Sequence, residues 1–408
     1  MKALLINKFY HIVGGVDRYF FDIQEVLEKK GHMSGIFSMK HHQNLLSQWD
    51  KYFVSNISFK DISFNNGFKI VGRIIYSFEA NGKIRQLFNE FQPDIAYVFS
   101  IYHHISPSVY IELRKRNIPI IQFIGDYHII SPNYNMFHDE AICEITKPYR
   151  YYKAIFHKCV KNSYLASFTE VLEKYIHFWF GWERNYIDYY IVPSEFMKNK
   201  LIKYGFPSKK ISYLPHFVDC DKYKQNYDKG HYILYFGRLS PEKGVNFLIN
   251  SMKTLKHIQL IIIGRGDVTY EKILREQARN MENIKFLGFM DGTSLKKIIN
   301  NSRFTILPSL WFEVFGLSLL ESFASGKTVI ASNIGGIPEI VKDGFNGLLF
   351  EPGNIKDCAE KINKLWNNPS LCREMGKNAR NYVEKNFGPE EHYEKLMAIY
   401  QKAINKHK

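Results

Sequence analysis

The chain has 408 residues, 45% of them apolar and 23% charged, which is enough for two domains with separate cores and too apolar for a disordered chain. Its 55 Lys and Arg against 40 Asp and Glu give a net charge of +15, a balance that suits nucleotide phosphates or an anionic membrane surface. No polybasic block supports nucleic-acid binding, and the five scattered cysteines, Cys143, Cys159, Cys220, Cys358 and Cys372, argue against a disulfide framework or a structural zinc.

The N-terminus reads as a strand, Lys2 to Asn7, followed by Gly14-Gly15 and a helix with Val16, Phe20, Ile23, Val26 and Leu27 on one face. A strand feeding a glycine turn and a helix start is an anion-binding arrangement. The opening lacks the apolar core and cleavage site of a signal peptide, and no apolar run approaches the length that spans a bilayer, so a cytoplasmic protein is expected. Residues 40–80 are weakly patterned and read as loops and short helices. Ile95 to Phe99 and Pro119 to Ile124 are buried strands, with a helix over Ile105 to Lys115 between them. The second strand ends in Gly125-Asp126-Tyr127-His128, a carboxylate and an imidazole where active sites form in parallel sheets.

Residues 145–169 contain no Asp or Glu but carry Lys147, Arg150, Lys153, Lys158 and Lys161 among aromatic residues. Tyr149, Tyr152, Phe156 and Val160 fall at helical spacing, and residues 170–182 continue the aromatic run. A basic aromatic helix suits a headgroup layer, but packing on the sheet with its lysines in water is the favoured reading, since aromatic residues fill cores before membranes. Ile187 to Val192 is a further strand, and Ile211 to Asp219 leads into the second half. Asp219-Cys220-Asp221 has the form of a metal–nucleotide motif, but is read here as a hinge.

The second half is more regular. Tyr232 to Phe236 is a strand followed by Gly237-Arg238-Leu239-Ser240-Pro241-Glu242-Lys243-Gly244. Arg and Lys on one tight turn can clamp a diphosphate, the one through a planar fork and the other as a compact charge. Gln259 to Ile263 ends in Gly264-Arg265-Gly266-Asp267, and Ile284 to Gly288 ends at Phe289. Phe304 to Leu307 is a strand, a loop carrying Glu313 follows, and Gly316 opens a helix containing Glu321. That unit reads as phosphate on the amides of Phe315, Gly316 and Leu317, a ribose on Glu321, and Glu313 nearest the rest of the ligand. No Gly-x-Gly-x-x-Gly is present, which leaves a dinucleotide oxidoreductase unsupported. The tail from Pro389 is a helix with Tyr393, Leu396, Met397 and Tyr400 on one face.

The string from Pro308-Ser309 through Glu313, Phe315-Gly316, Glu321, Gly326 and Gly335-Gly336-Ile337-Pro338-Glu339 to Gly344 and Gly347 resembles the donor signature of the retaining glycosyltransferases of family 4, which have the GT-B fold. The octet 237–244 is similar to that family's diphosphate loop. The resemblance implies an α/β protein with two Rossmann-like domains facing each other across a cleft. It implies an acceptor-binding domain over 1–215, a nucleotide-sugar domain over 216–385, and a helix over 386–408 that crosses back to the first. It also implies sugar transfer with retention from a UDP- or GDP-sugar to a glycan or lipid-linked acceptor, in cell-surface polysaccharide synthesis. No metal is expected, because Arg238, Lys243 and the helix amides would face the leaving diphosphate.

In that scheme Gly14 and Gly15 face the donor phosphates, Gly264 and Arg265 belong to the donor site, Phe289 lies by the base, Glu313 holds sugar hydroxyls and Glu321 the ribose. Asp126, or His128, orients the donor sugar or the acceptor. The subfamily usually has His-Asp where this chain has Gly125-Asp126, and the glycine leaves room at the cleft. The expected partners are the donor, the acceptor and an anionic membrane, without nucleic acid. A sugar-nucleotide epimerase of the same fold and a non-catalytic basic protein are the alternative readings.

Overall fold

The structure is a computed structural model, and it describes residues 1–56, 72–227 and 230–408. Part of the weakly patterned stretch 40–80 therefore lies outside the described residues. The first half contains β1 (Lys2–Ile6), β2 (Met33–Phe37), β3 (Ile95–Val98) and β4 (Ile120–Phe123). A short hairpin of β5 (Phe137–His138) and β6 (Ala141–Ile142) follows, then β7 (Tyr189–Val192) and β8 (Ile211–Tyr213). Apart from the hairpin these form one six-stranded parallel sheet in the order β2-β1-β3-β4-β7-β8. The second half contains β9 (Ile233–Phe236), β10 (Leu260–Ile263), β11 (Ile284–Gly288), β12 (Phe304–Leu307), β13 (Val329–Ser332) and β14 (Gly347–Phe350). These form a second six-stranded parallel sheet, β11-β10-β9-β12-β13-β14.

The central strands are near-continuous Leu, Ile and Val because helices cover both faces of each sheet. Leu4 and Ile6 of β1 point into one core layer, and Ala3 and Leu5 into the other. The second layer is completed by Leu396, Tyr400 and Ala403 of the final helix, Pro389–Asn405, so the last element of the chain closes the first sheet. His392 fixes that crossing. Its Nδ1 lies 2.8 Å from the Pro215 carbonyl and its Nε2 3.0 Å from the Tyr19 hydroxyl.

The helix suggested by Tyr149, Tyr152, Phe156 and Val160 does not form as a unit. Only Lys153–Phe156 is helical there, and Tyr149, Lys158, Lys161 and Asn162 adopt positive φ, each interrupting the hydrogen-bond ladder. The run offers its cations no carboxylate at helical spacing to pair with. The long helix begins instead at Ser163, whose hydroxyl caps Tyr164–Phe180.

Candidate functional site

The strand order of each sheet reverses at one place: beside β9 and β12 in the second sheet, and beside β1 and β3 in the first. Ligands bind outside the carboxyl ends of the strands at such switch points. In the second sheet the loops that meet there are 237–244 and 308–316.

These two loops are joined closely. Gly244 has φ +69°, and a Cβ on it would lie 2.0 Å from the Pro308 carbonyl oxygen, so only glycine allows the approach. Leu310 donates its N–H to the Glu242 carbonyl at 2.9 Å. Lys243 Nζ then reaches both oxygens of Glu313, at 3.0 and 2.8 Å. Ser309 Oγ and Trp311 Nε1 donate to the same carboxylate at 2.8 and 3.0 Å. Burial alone would raise the Glu313 pKa; the Lys243 ammonium and these donors outweigh it and hold the carboxyl below its usual range. Arg238 donates to Glu242 Oε1 at 2.6 Å, with Ser240 Oγ on the same oxygen at 2.8 Å. Both cations foreseen for the diphosphate are thus held by carboxylates of this same site.

Glu313 is fixed from behind by the glycine pair. Gly336 donates to the Glu313 carbonyl at 2.7 Å, and Gly335, at φ +61°, passes so close that a Cβ would lie 2.3 Å from that oxygen. Further along, the Glu339 carboxylate accepts the N–H groups of Glu195 and Phe196 at 2.8 and 2.6 Å. It thereby ties the second sheet's loop to the first turn of helix Glu195–Lys203 in the first half.

Glu321 lies one turn into helix Leu317–Ala324, which starts at Gly316 with φ +97°. Its Oε1 accepts from Tyr223 OH at 3.0 Å and lies 3.7 Å from Arg18 of the first half. Burial raises its pKa, opposed by Arg18 and the Tyr223 hydrogen bond. The first turns of helices Gly15–Lys29 and Leu317–Ala324 abut: a Cβ on Gly15 would be 3.3 Å from Leu317 Cδ1. Two positive helix ends therefore converge on one side of the cleft. The Gly14 N–H is already engaged, donating with Val13 N–H to Asp17 Oδ2 at 3.0 and 3.1 Å. At the outer end Arg265 sits over the Phe289 ring, 4.6 Å from its centroid, and Gly264 N–H bonds the Gly288 carbonyl at 2.8 Å.

On the first sheet's side, Asp126 accepts from Tyr102 OH at 2.6 Å and from the His128 N–H at 3.0 Å. Lys8, at the end of β1, lies over the Tyr102 ring at 4.2 Å. Tyr127, between Asp126 and His128, donates its hydroxyl to the Phe312 carbonyl at 2.9 Å, which brings this loop against the Glu313 loop. The space expected at Gly125 is filled: a Cβ there would lie 2.5 Å from Val16 Cγ2 and 2.8 Å from Phe123 Cε1. Helix Gly15–Lys29 occupies the place, so the glycine reflects close packing and not an opening. His128 turns inward. It stacks on Tyr102, with centroids 4.2 Å apart, and its Nε2 lies 3.5 and 3.7 Å from Glu170 and Glu173. Burial and Lys174 pull its pKa down, but the two carboxylates prevail and push it up to about 9.

Sequence reasoning missed Arg18, Tyr223 and Tyr127. Arg18 carries a local signal, as a cation one turn into the glycine-loop helix. Nothing local marks the other two.

The profile described as Glycosyltransferase Family 4 matches residues 13–222, and that described as Glycosyl transferases group 1 matches residues 221–382. The chain is 36% identical over 162 residues to an uncharacterized glycosyltransferase of Methanocaldococcus jannaschii, covering 39% of this chain and 45% of that one. It is 31% identical over 156 residues to a sulfoquinovosyl transferase of Arabidopsis thaliana, covering 38% and 30%. The chain thus spans less than half the length of these curated relatives. Sucrose-phosphate synthase of Thermosynechococcus elongatus superposes with a TM-score of 0.74 at 18% identity, covering 99% of each chain. HepE of Anabaena, solved with UDP and glucose, superposes with a TM-score of 0.71 at 18% identity, covering 98% of this chain and 100% of that one. These likenesses show the GT-B fold.

Proposed function

Since the chain belongs to glycosyltransferase family 4, we propose that it transfers a sugar, with retention, from a nucleoside diphosphate donor to a glycan or lipid-linked acceptor in cell-surface polysaccharide synthesis. The observation that carries this reading is the hydrogen bond from Tyr127 to the Phe312 carbonyl, which sets Asp126 of one sheet beside the Glu313 loop of the other. A donor held on the second sheet would present its anomeric carbon to that junction.

The diphosphate would lie over the abutting helix ends and draw Arg238 from Glu242 and Lys243 from Glu313. Charge builds on the leaving group as the glycosidic bond breaks, and fixed cations and amides stabilise that charge more than the ground state. Glu313, released from Lys243, would accept sugar hydroxyls, and Glu321 the ribose hydroxyls. The departing phosphate would take the acceptor proton on the face it leaves, with Asp126 orienting the incoming hydroxyl. A UDP-sugar is the first donor to test, in keeping with the UDP and glucose of HepE.

An acceptor at a membrane is supported by an exposed apolar stripe. Leu165, Phe168 and Trp179 of helix Tyr164–Phe180 are exposed, as is Phe156 before it, beside Lys158 and Lys161. Such a face suits an anionic interface. Among the described residues no helix is long and apolar enough to cross a membrane.

The test is a thermal-shift screen against UDP, GDP, ADP and their sugars, followed by anomeric NMR of the product. A shift with one nucleotide and an α-product from an α-donor are expected. Donor epimerised without acceptor would replace the transfer reading with isomerisation.

A further inference from the structure

Away from the donor loops, three segments bring two imidazoles and two carboxylates together: His103 after β3, His128 after β4, and Glu170 with Glu173 on helix Tyr164–Phe180. Their nearest donor atoms all lie within 4.8 Å of one another. We propose that these four side chains bind one divalent transition cation, zinc by ligand chemistry, as a staple that fixes the two cleft loops to this helix.

The separations fit a tetrahedral ion. His103 Nε2 to Glu173 Oε2 is 3.6 Å, His128 Nε2 to Glu170 Oε2 is 3.5 Å, and His128 Nε2 to Glu173 Oε2 is 3.7 Å. Four ligands at ordinary zinc distances stand about 3.4 Å apart. Of these four imidazole–carboxylate separations one is shorter, His103 Nε2 to Glu170 Oε1 at 2.8 Å, and turning that carboxylate would open it. The nitrogen and carboxylate set suits zinc better than calcium or magnesium.

Charge and burial point the same way. The Glu173 side chain is 0% exposed, and neither of its oxygens has a hydrogen bond; His128 Nε2, also buried, has none. Lys174, the adjacent cation, is directed to Glu183 at 3.3 and 3.4 Å and does not reach this purpose. Two carboxylates offset the charge of one dication, and two imidazole nitrogens complete a set of four donor atoms around it. His128 and Glu173 also line a cavity, together with Tyr102, Gln122, Asp126 and His177. The spacing 103, 128, 170, 173 forms no sequence signature, which is why a reading based on cysteines pointed away from zinc. This site is separate from the cations that face the diphosphate and does not rest on the transfer reading.

The experiment is metal analysis of the untagged full chain, with thermal unfolding before and after chelation and on re-addition of Zn2+. One zinc per chain is expected, with a fall in midpoint of at least about 5 °C on chelation that Zn2+ restores. Co2+ in its place should give the d–d absorption of a tetrahedral site. Glu173→Gln and Glu170→Gln, checked for folding by circular dichroism, should lose the bound metal. Wild-type protein without zinc whose midpoint ignores added Zn2+ would overturn the proposal. Metal retained by both variants would overturn it too, by placing the ion elsewhere.

Discussion

Lys243 Nζ spans both oxygens of Glu313, at 3.0 and 2.8 Å, so two residues expected to meet different parts of a donor meet each other first. Both are largely buried, with side-chain exposures of 17% and 8%. Removing one partner of such a pair leaves an uncompensated charge and costs about 3–5 kcal/mol. Glu313→Ala and Lys243→Ala should each lower the thermal midpoint as well as kcat, and the double variant should lose less than the sum. A double-mutant cycle read in both quantities checks this. Additive losses would mean that the two act independently and that the pair is incidental.

Glu321 should govern donor affinity more than turnover. A carboxylate on the ribose holds ground and transition states alike, so Glu321→Ala should raise the donor KM about tenfold, roughly 1.4 kcal/mol, and leave kcat nearly unchanged. A 2′-deoxy donor distinguishes this from mere loosening of Arg18 and Tyr223. The analogue should bind wild-type protein more weakly and Glu321→Ala no worse than the normal donor. An analogue penalty that survives in the variant would move the ribose elsewhere.

The sheets and the loops that follow β9 and β12 were legible because each signal is local. Phe304 to Leu307 is a run of apolar residues bounded by Pro308, and it became β12 unchanged. Arg238, Lys243, Glu313 and Glu321 sit in short strings that fix both strand end and helix start. The first half's cleft was harder to read because its contacts are long-range. Tyr127 meets Phe312 across 185 positions and Arg18 meets Glu321 across the cleft, and neither leaves a spacing in the chain. Gly125 was misread for the same reason, since the side chain filling its space, Val16, comes from a helix 109 positions earlier.

That packing makes a specific prediction. Gly125→His installs the histidine that the family resemblance led one to expect there, yet its Cβ would stand 2.5 Å from Val16 Cγ2. The variant should lose about 1–3 kcal/mol of stability through overpacking. Val16→Ala should recover part of the loss when combined with it, although it destabilises the protein alone. Denaturant unfolding of the three variants provides the measurement, and a stable Gly125→His single variant would show that helix Gly15–Lys29 yields easily.

His392 should make docking of the final helix sensitive to acid. Burial, with Lys395 adding to it, lowers its pKa from 6.5 to about 3, against the Pro215 carbonyl bond that raises it. The unfolded imidazole takes up a proton near 6.5, whereas the folded one does so only near 3. The stability due to the neutral ring is therefore complete above 6.5 and is lost as pH falls through that window, by about 1.4 kcal/mol per unit. His392→Gln should be less stable than wild type at about pH 7 and show a shallower decline towards about pH 4. Equal slopes in the two proteins would assign the acid sensitivity to other groups, such as His216, which burial also lowers to about 3 and which packs on the same Tyr19 ring.

Asp126 and His128 are adjacent in the loop but should fail in different ways when removed. The Asp126 carboxylate is held by Tyr102 OH at 2.6 Å and by the His128 N–H at 3.0 Å, at the junction where Tyr127 reaches Phe312. In the proposed reaction it would orient a hydroxyl arriving from the acceptor side. Asp126→Ala should lower kcat by at least about tenfold, roughly 1.4 kcal/mol of barrier, with a modest change in midpoint. His128 instead directs Nε2 at Glu170 and Glu173 and away from that junction. Losing it leaves those buried carboxylates short of a partner, so His128→Ala should unfold several degrees earlier, while the fraction still folded keeps more activity than Asp126→Ala. Unfolding curves and single-turnover rates on both variants separate the two roles. A folded His128→Ala with the larger kcat loss would place the imidazole in the chemistry, and undiminished rates in both would locate the acceptor-side group on another loop.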